Sequence, residues 1–269
     1  KSMPDIFDLI KSWWKQMLLV VLVSLIIVAI IVYSKPLQYV SVTTAVPANT
    51  YSSDKAKIFN ENVQQLYTAL GTPDDLDVIV GTGNLDTVYT AVAQKYNLWD
   101  HFKMGEKGDA AIAKAASILK KNTKVMKSEY GELKVKVWDT DKELAPQLAN
   151  SIMDQLQSIH QYLQGAGNEA TLQGLISGRE RLKAKSDSAA QEKNILLQEK
   201  LKQYDNLITE YQLMVDSKPP VLVIVEKAKA SDWPDRPKRI QLLVATGVLA
   251  FIFSLFLALI LEKRKTTRK

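Results

Sequence analysis

Apolar residues follow three rhythms along this chain: unbroken runs near both ends, alternation in short segments, and helical spacing between them. Gln16 to Ser34 is 19 residues without a charge, and Ile240 to Leu261 is 22. As helices these runs would reach about 28 and 33 Å, against a bilayer core of about 30 Å. The pattern predicts transmembrane helices over 16–34 and 240–261. No small-residue cleavage pattern follows the first run, only Tyr33-Ser34-Lys35-Pro36, so an uncleaved helix is expected rather than a signal peptide. Ahead of it, Ile6, Leu9, Ile10, Trp13 and Trp14 recur at helical spacing with Lys11 and Lys15 on the polar side. Residues 1–15 therefore read as a short amphipathic segment with its Trp pair at the membrane interface.

Between the runs, Gln38 to Val46 alternates and is rich in β-branched residues, a strand ended by Pro47. Helices are predicted over Asp54 to Leu70, Leu85 to Tyr96 and Asp109 to Lys121. A second strand is predicted over Leu133 to Trp138. Asp139-Thr140-Asp141 is placed to cap a helix running to about Gln164, whose apolar stripe is Leu144, Leu148, Ile152, Leu156, Ile159 and Leu163. Gly165-Ala166-Gly167 is expected to break it. A second long helix then runs from Asn168 to Ser217, with Leu197, Leu201, Tyr204, Ile208, Tyr211 and Val215 at heptad-like spacing, a seam for another helix. Lys218-Pro219-Pro220 ends the hairpin. Val221 to Val225 is apolar throughout and is expected to lie centrally in the sheet.

This fixes an expected architecture of class α+β. Two transmembrane helices flank an exterior region over 35–239, made of a membrane-proximal α/β sheet domain (36–141 and 218–239) and a long extended helical hairpin (142–217). A basic tail over 262–269 closes the chain.

Charge changes the picture in one respect. The chain is formally +6, but its last eight residues carry five Lys or Arg against Glu262. Basicity is thus mainly a topology signal that places both termini in the cytoplasm, and nucleic acid is not an expected partner. Arg236, Lys238 and Arg239 stand on the wrong side for that rule, which long translocated loops tolerate. The short tail is expected to leave no room for a cytoplasmic output domain.

Candidate chemistry is sparse. The absence of cysteine excludes disulfides, thiolate metal sites and cysteine nucleophiles. The two histidines are His101, in a loop-like Trp99-Asp100-His101-Phe102 setting, and His160, on a helix; neither has metal-ligand spacing to a second ligand. Asp74, Asp75 and Asp77 lack the spacing of a calcium loop and read as a solvated helix start. Gly81-Thr82-Gly83-Asn84 lacks the Lys-Ser/Thr ending of a phosphate loop and reads as a turn with a helix cap. No catalytic residue, cofactor or metal site is expected, and the chain reads as non-enzymatic. In the second run, Thr246, Ala250, Ser254 and Ala258 lie four apart, a small-residue face suited to close packing on the first span or on a partner.

Four stretches together resemble the polysaccharide co-polymerase family, the chain-length determinant proteins of bacterial O-antigen, capsule and exopolysaccharide assembly. They are Asp8-Leu9-Ile10-Lys11-Ser12-Trp13-Trp14-Lys15 entering the first span and Pro36-Leu37-Gln38-Tyr39-Val40-Ser41 leaving it; Val137-Trp138-Asp139-Thr140-Asp141-Lys142-Glu143-Leu144-Ala145 running on to Ala149-Asn150; and Trp233-Pro234-Asp235-Arg236-Pro237-Lys238-Arg239 before the last span. The last resembles the family's proline-rich membrane motif, with Pro234 and Pro237 as its prolines. The resemblance implies a ring-like homo-oligomer in the bacterial inner membrane, with its main domain periplasmic. Such a ring would organise a polysaccharide polymerase or export machinery without bond chemistry of its own, some members working with a separate tyrosine kinase. From another class, an extracytoplasmic sensor or export-adaptor subunit with two spans fits the same hydrophobic layout.

Overall fold

The computed structural model describes residues 6–48, 75–105, 107–187 and 191–267; the helix expected over Asp54 to Leu70 lies outside the described residues. The elements in chain order are α1 (Ile6–Ser34), β1 (Tyr39–Pro47), α2 (Asp75–Thr82), α3 (Asp86–Lys95), α4 (Leu98–His101), α5 (Asp109–Lys121), β2 (Thr123–Lys127), β3 (Leu133–Asp139), α6 (Leu144–Asp187), α7 (Gln191–Ser217), β4 (Leu222–Glu226) and α8 (Arg239–Thr267). The chain divides into two units. One holds α1 and α8 with the segments that adjoin them, and the other holds the sheet, α2 to α5 and the hairpin of α6 and α7.

In the first unit, α1 and α8 lie antiparallel. Ile10–Ser34 and Arg239–Arg264 are long and apolar enough to cross a membrane, yet only 11% and 17% of their most apolar windows is buried in the protein. A soluble core helix would be mostly covered, so the exposed Leu19, Ile30, Leu249 and Phe256 are suited to lipid. The amphipathic segment around Trp13 is continuous with α1 rather than a separate helix, because no Gly or Pro interrupts the helical pattern.

In the second unit the sheet order is β2-β3-β1-β4, with β2 antiparallel to β3 and β1 antiparallel to β4. β3 turns Leu133, Val135 and Val137, all fully buried, toward the core. There they meet Leu148, Ile152, Met153 and Leu156 of α6 and Val88, Val92 and Leu119 of α3 and α5. β1 contributes Ser41, Thr43 and Ala45 as buried positions instead of its valines. Its hydroxyls stay satisfied: Ser41 donates to the Lys229 carbonyl at 2.9 Å and Thr43 to that of Glu226 at 3.0 Å. A register shift between Thr44 and Ala45 interrupts the β1–β4 ladder in this region.

Several expectations are corrected. Val221 to Val225 does not run through the middle of the sheet: β4 is an edge strand, with Val225 59% exposed. A short run of apolar residues has no periodicity with which to separate centre from edge. Gly165-Ala166-Gly167 does not end the first hairpin helix, which continues to Asp187 for 44 residues, roughly 66 Å. Its partner α7 has 27 residues rather than fifty. Two glycines cost a helix interior roughly 2 kcal/mol relative to Ala, which long ordered flanks on both sides absorb. Pro146 sits in the first turn of α6, where its missing N–H costs no hydrogen bond. Leu163 leaves the apolar stripe and is 58% exposed, while Leu148, Ile152 and Leu156 are buried. His101 closes a one-turn helix, α4, instead of lying in a loop. β2 was not anticipated, since Thr123–Lys127 has only two apolar residues, Val125 and Met126, and they are adjacent instead of alternating.

Candidate functional site

Small residues bring the two spans together. Ala250, Ser254 and Ala258 are buried, Thr246 is half-buried, and Gln16, Met17 and Val20 of α1 face Ser254, Leu257 and Ala258. The hydroxyls make no demand on α1: Ser254 donates to the Phe251 carbonyl at 2.7 Å and Thr246 to that of Leu242 at 2.7 Å. Gly247 belongs to the same approach, since a side chain there would meet Leu25 at 3.9 Å; it is offset by one position from the four-residue spacing and was missed. One end of the pair is tied by the Trp13 indole, whose Nε1 donates to Glu262 Oε2 at 2.8 Å. At the other end the Arg239 guanidinium lies 4.5 Å over the Tyr33 ring and its Nη2 donates to the Lys35 carbonyl at 3.4 Å.

Pro234 and Pro237 bracket a short backbone bridge at that second end. The Gln38 N–H donates to the Arg236 carbonyl at 2.8 Å, and the N–H groups of Asp235 and Arg236 donate to the Gln38 carbonyl at 2.9 and 3.2 Å. Neither proline has an N–H to offer, so the two residues between them carry the donors. Pro234 is exposed and Pro237 half-buried after a cis peptide bond. Lys35, Pro36, Gln38, Arg236 and Pro237 line a cleft of about 320 Å³. The two prolines flank one connection, but only Pro237 reaches the cleft.

In the hairpin, Leu197, Leu201, Tyr204, Ile208, Tyr211 and Val215 are all half-buried, with exposed neighbours over most of α7. They share a face with Met214, which is more deeply covered at 6% exposure and was missed because it falls beside the heptad positions. On α6, Leu172 is buried and Gly178 faces this seam. A side chain at Gly178 would come within 2.9 Å of the Tyr204 ring, so the tyrosine lies against bare backbone. Arg179 Nε donates to Asp205, and the Gln161 amide donates to the Lys218 carbonyl. Ser158, Gln161, Tyr162 and Gly165 meet Val215 and Lys218 around a cleft of about 390 Å³.

Asn150 fastens the chain after β4. Its side-chain amide donates to the Ala228 carbonyl at 3.3 Å and its Oδ1 accepts from the Ala228 N–H at 2.9 Å, as a strand neighbour would. Residues 38 positions apart form a pair that no spacing announced: His101 Nε2 lies 2.9 Å from Asp139 Oδ1. Asp139, 3% exposed, therefore holds α4 instead of simply capping α6. His160 Nε2 meets Thr82 Oγ1 at 3.0 Å.

The glycine turn has no free donors for a phosphate. The N–H groups of Gly83, Asn84 and Leu85 donate to Ile79, Gly81 and Thr82. Asn84 sends its amide back to the Val80 carbonyl at 3.3 Å, so it serves the end of α2, while α3 begins at Asp86 after Leu85, which supplies no side-chain cap. Gly83 is there for room, because a Cβ would meet Val125 at 2.9 Å. Tyr89 donates to the Gly83 carbonyl at 2.6 Å. Burial, and secondarily the Asp86 charge, pushes its pKa up to about 12, so it remains a protonated donor. Among the described residues no group of three His, Cys, Asp or Glu side chains is placed to hold a metal.

No protein-family model and no curated protein matches this sequence. Among solved structures, the chain is similar to a full-length bacterial polysaccharide co-polymerase, at 14% identity and a TM-score of 0.39, over 98% of both chains. It is also similar to a fragment of WzzB, a polysaccharide co-polymerase from Salmonella Typhimurium, at 12% identity and a TM-score of 0.41. That match covers 74% of this chain and all of the fragment.

Proposed function

We propose that this protein is a non-enzymatic membrane scaffold that regulates the chain length or export of a bacterial surface polysaccharide, whether O-antigen, capsule or exopolysaccharide. It acts as a two-pass inner-membrane homo-oligomer with a periplasmic main domain and both termini in the cytoplasm. The observation that carries this reading is the order of its parts. A candidate span leads into β1, a long helical hairpin leaves the fold after β3, β4 returns to pair with β1, and a second candidate span follows. Supporting it are the residues that resemble the chain-length determinant family, two of which bear structural weight: Asn150 on Ala228, and Gln38 on Arg236. Exposed Ile195, Leu196, Leu213 and Tyr162 on the hairpin favour self-association, since such residues in water gain by pairing with a second copy. Its partners are a polysaccharide polymerase or export machinery, with a separate tyrosine kinase as a further one.

The experiment replaces Pro234 and Pro237 with Ala together and compares surface polysaccharide on gels with the amount of protein in the membrane. A changed length distribution at near-normal abundance is expected. An unchanged distribution, both there and in a strain lacking the protein, would remove the reading.

A further inference from the structure

Positive charge is gathered where a two-span protein least needs it. Lys35 begins the segment leaving α1, and Arg236 and Lys238 lead into α8, which starts at Arg239, at the end of the pair remote from Lys263 and Arg264. The topology rule gives no reason for basic residues at both ends. Among the described residues, neither Lys35 nor Lys238 has an ion pair to absorb its charge. Arg239 is half-buried, and its Nε is shielded from solvent without a hydrogen-bond partner. A buried guanidinium N–H left unpaired is costly, so a missing acceptor is the natural complement.

The surroundings specify that acceptor. Lys35 and Arg236 line the 320 Å³ cleft with Pro36, Gln38 and Pro237, and the positive end of the 29-residue helix α8 begins beside it. Trp233 and Tyr33, 83% and 62% exposed, lie within a few residues of its lining in sequence. Amphipathic aromatics of this kind belong at headgroup depth. Asp232 and Asp235 are the acids nearby in sequence, fewer than the four cations.

We propose that Lys35, Arg236, Lys238 and Arg239 form a binding site for the phosphate of an anionic phospholipid headgroup, at the membrane boundary opposite the basic tail. The proposal rests on α1 and α8 crossing a bilayer, and it is independent of the polysaccharide reading. The headgroup phosphate occupies the cleft between the end of α1 and the start of α8, while its acyl chains lie along the exposed apolar flanks of the spans.

The test uses the full chain in a non-ionic detergent, titrated with dioleoylphosphatidylglycerol or dioleoylphosphatidylcholine and read by native mass spectrometry. Phosphatidylglycerol is expected to be retained at least ~10-fold better. The combined variant Lys35→Ala, Arg236→Ala and Lys238→Ala should lose at least ~10-fold of that retention, given attraction of a few-fold or more per basic residue. Lys263→Ala with Arg264→Ala, at the other end, should change it less than about twofold. The charge-keeping set Lys35→Arg, Arg236→Lys and Lys238→Arg should hold the lipid. If the triple variant loses its circular dichroism melt, the single exposed change Lys238→Ala serves instead, with a loss of about threefold expected. Equal losses from the two ends, or no preference for phosphatidylglycerol, would overturn the site. Displacement of the lipid by 50 mM inorganic phosphate would overturn its lipid character and leave a free-anion site.

Discussion

Two pairs of long antiparallel helices in this protein are held together by opposite means. In α1 and α8, large apolar residues turn outward and the contact is made where Ala250, Ser254 and Ala258 are small. In α6 and α7 the contact is made by the largest apolar and aromatic residues the seam possesses, and the outward faces are mostly polar. The difference follows from the solvent. In a bilayer, burying Leu against Leu gains nothing over burying it in lipid, so close backbone approach decides the pairing. In water the seam gains in proportion to the apolar area it covers. The hairpin covers that area only partly, because its seam is half-exposed from Leu197 to Val215. It is therefore rooted where α6 runs through the core of the sheet domain.

The strongest way to break the comparison is at that root. Ile152 is fully buried between the sheet and α3, whereas Leu201 on the seam is half-buried. Ile152→Ala should destabilise the protein by about 2–5 kcal/mol, through lost transfer free energy and a cavity. Leu201→Ala should cost about 1 kcal/mol, since much of its surface is already wet. Denaturant unfolding of detergent-solubilised protein, followed by hydrogen exchange in α6 and α7, measures both. Equal costs at the two sites would mean that the seam packs as tightly as the core.

The contrast between the pairs was legible in the sequence because each leaves its own rhythm: charge-free runs in one case, four-and-three spacing in the other. The small-residue row from Thr246 to Ala258 and the spacing from Leu197 to Val215 are patterns of the same local kind. What depends on distant parts of the chain was not. Gly165 and Gly167 carry a local signal for a turn, but the helix continues because long ordered flanks on both sides outweigh their cost, and no local pattern around the glycines records those flanks. The edge position of β4 is set by which strand pairs with β1. The pairing of His101 with Asp139 depends on where α4 meets the end of β3.

A second prediction tests whether small-residue packing is sufficient for the spans. Trp13 and Glu262 add one directed bond to an otherwise non-directional contact. Trp13→Phe keeps an aromatic ring, though a smaller one, and removes the donor, which should cost about 1 kcal/mol for the hydrogen bond. This sequence has no cysteine, so Met17→Cys with Ala258→Cys, at neighbouring buried positions, gives a clean reporter. The equilibrium fraction cross-linked under a fixed glutathione ratio should favour the pair about fivefold less in the Trp13→Phe background. Unchanged cross-linking would assign the whole contact to Ala250, Ser254 and Ala258.

The smallest effect is expected at Arg179 and Asp205, the ion pair across the hairpin. Their side chains are 39% and 52% exposed, so water and salt screen the attraction and two long side chains lose freedom in making it. A double-mutant cycle with Arg179→Ala and Asp205→Ala should give a coupling of about 0.5 kcal/mol or less, falling further in 0.5 M salt. The neighbouring contact of Tyr204 with Gly178 is the better candidate for fixing the register, because it depends on shape and not on charge. Gly178→Leu should therefore disturb the hairpin more than removal of both charges, although leucine is the stronger helix former. A coupling above 1.5 kcal/mol for the ion pair would reverse that order and make the hairpin an electrostatic zipper instead of a packed seam.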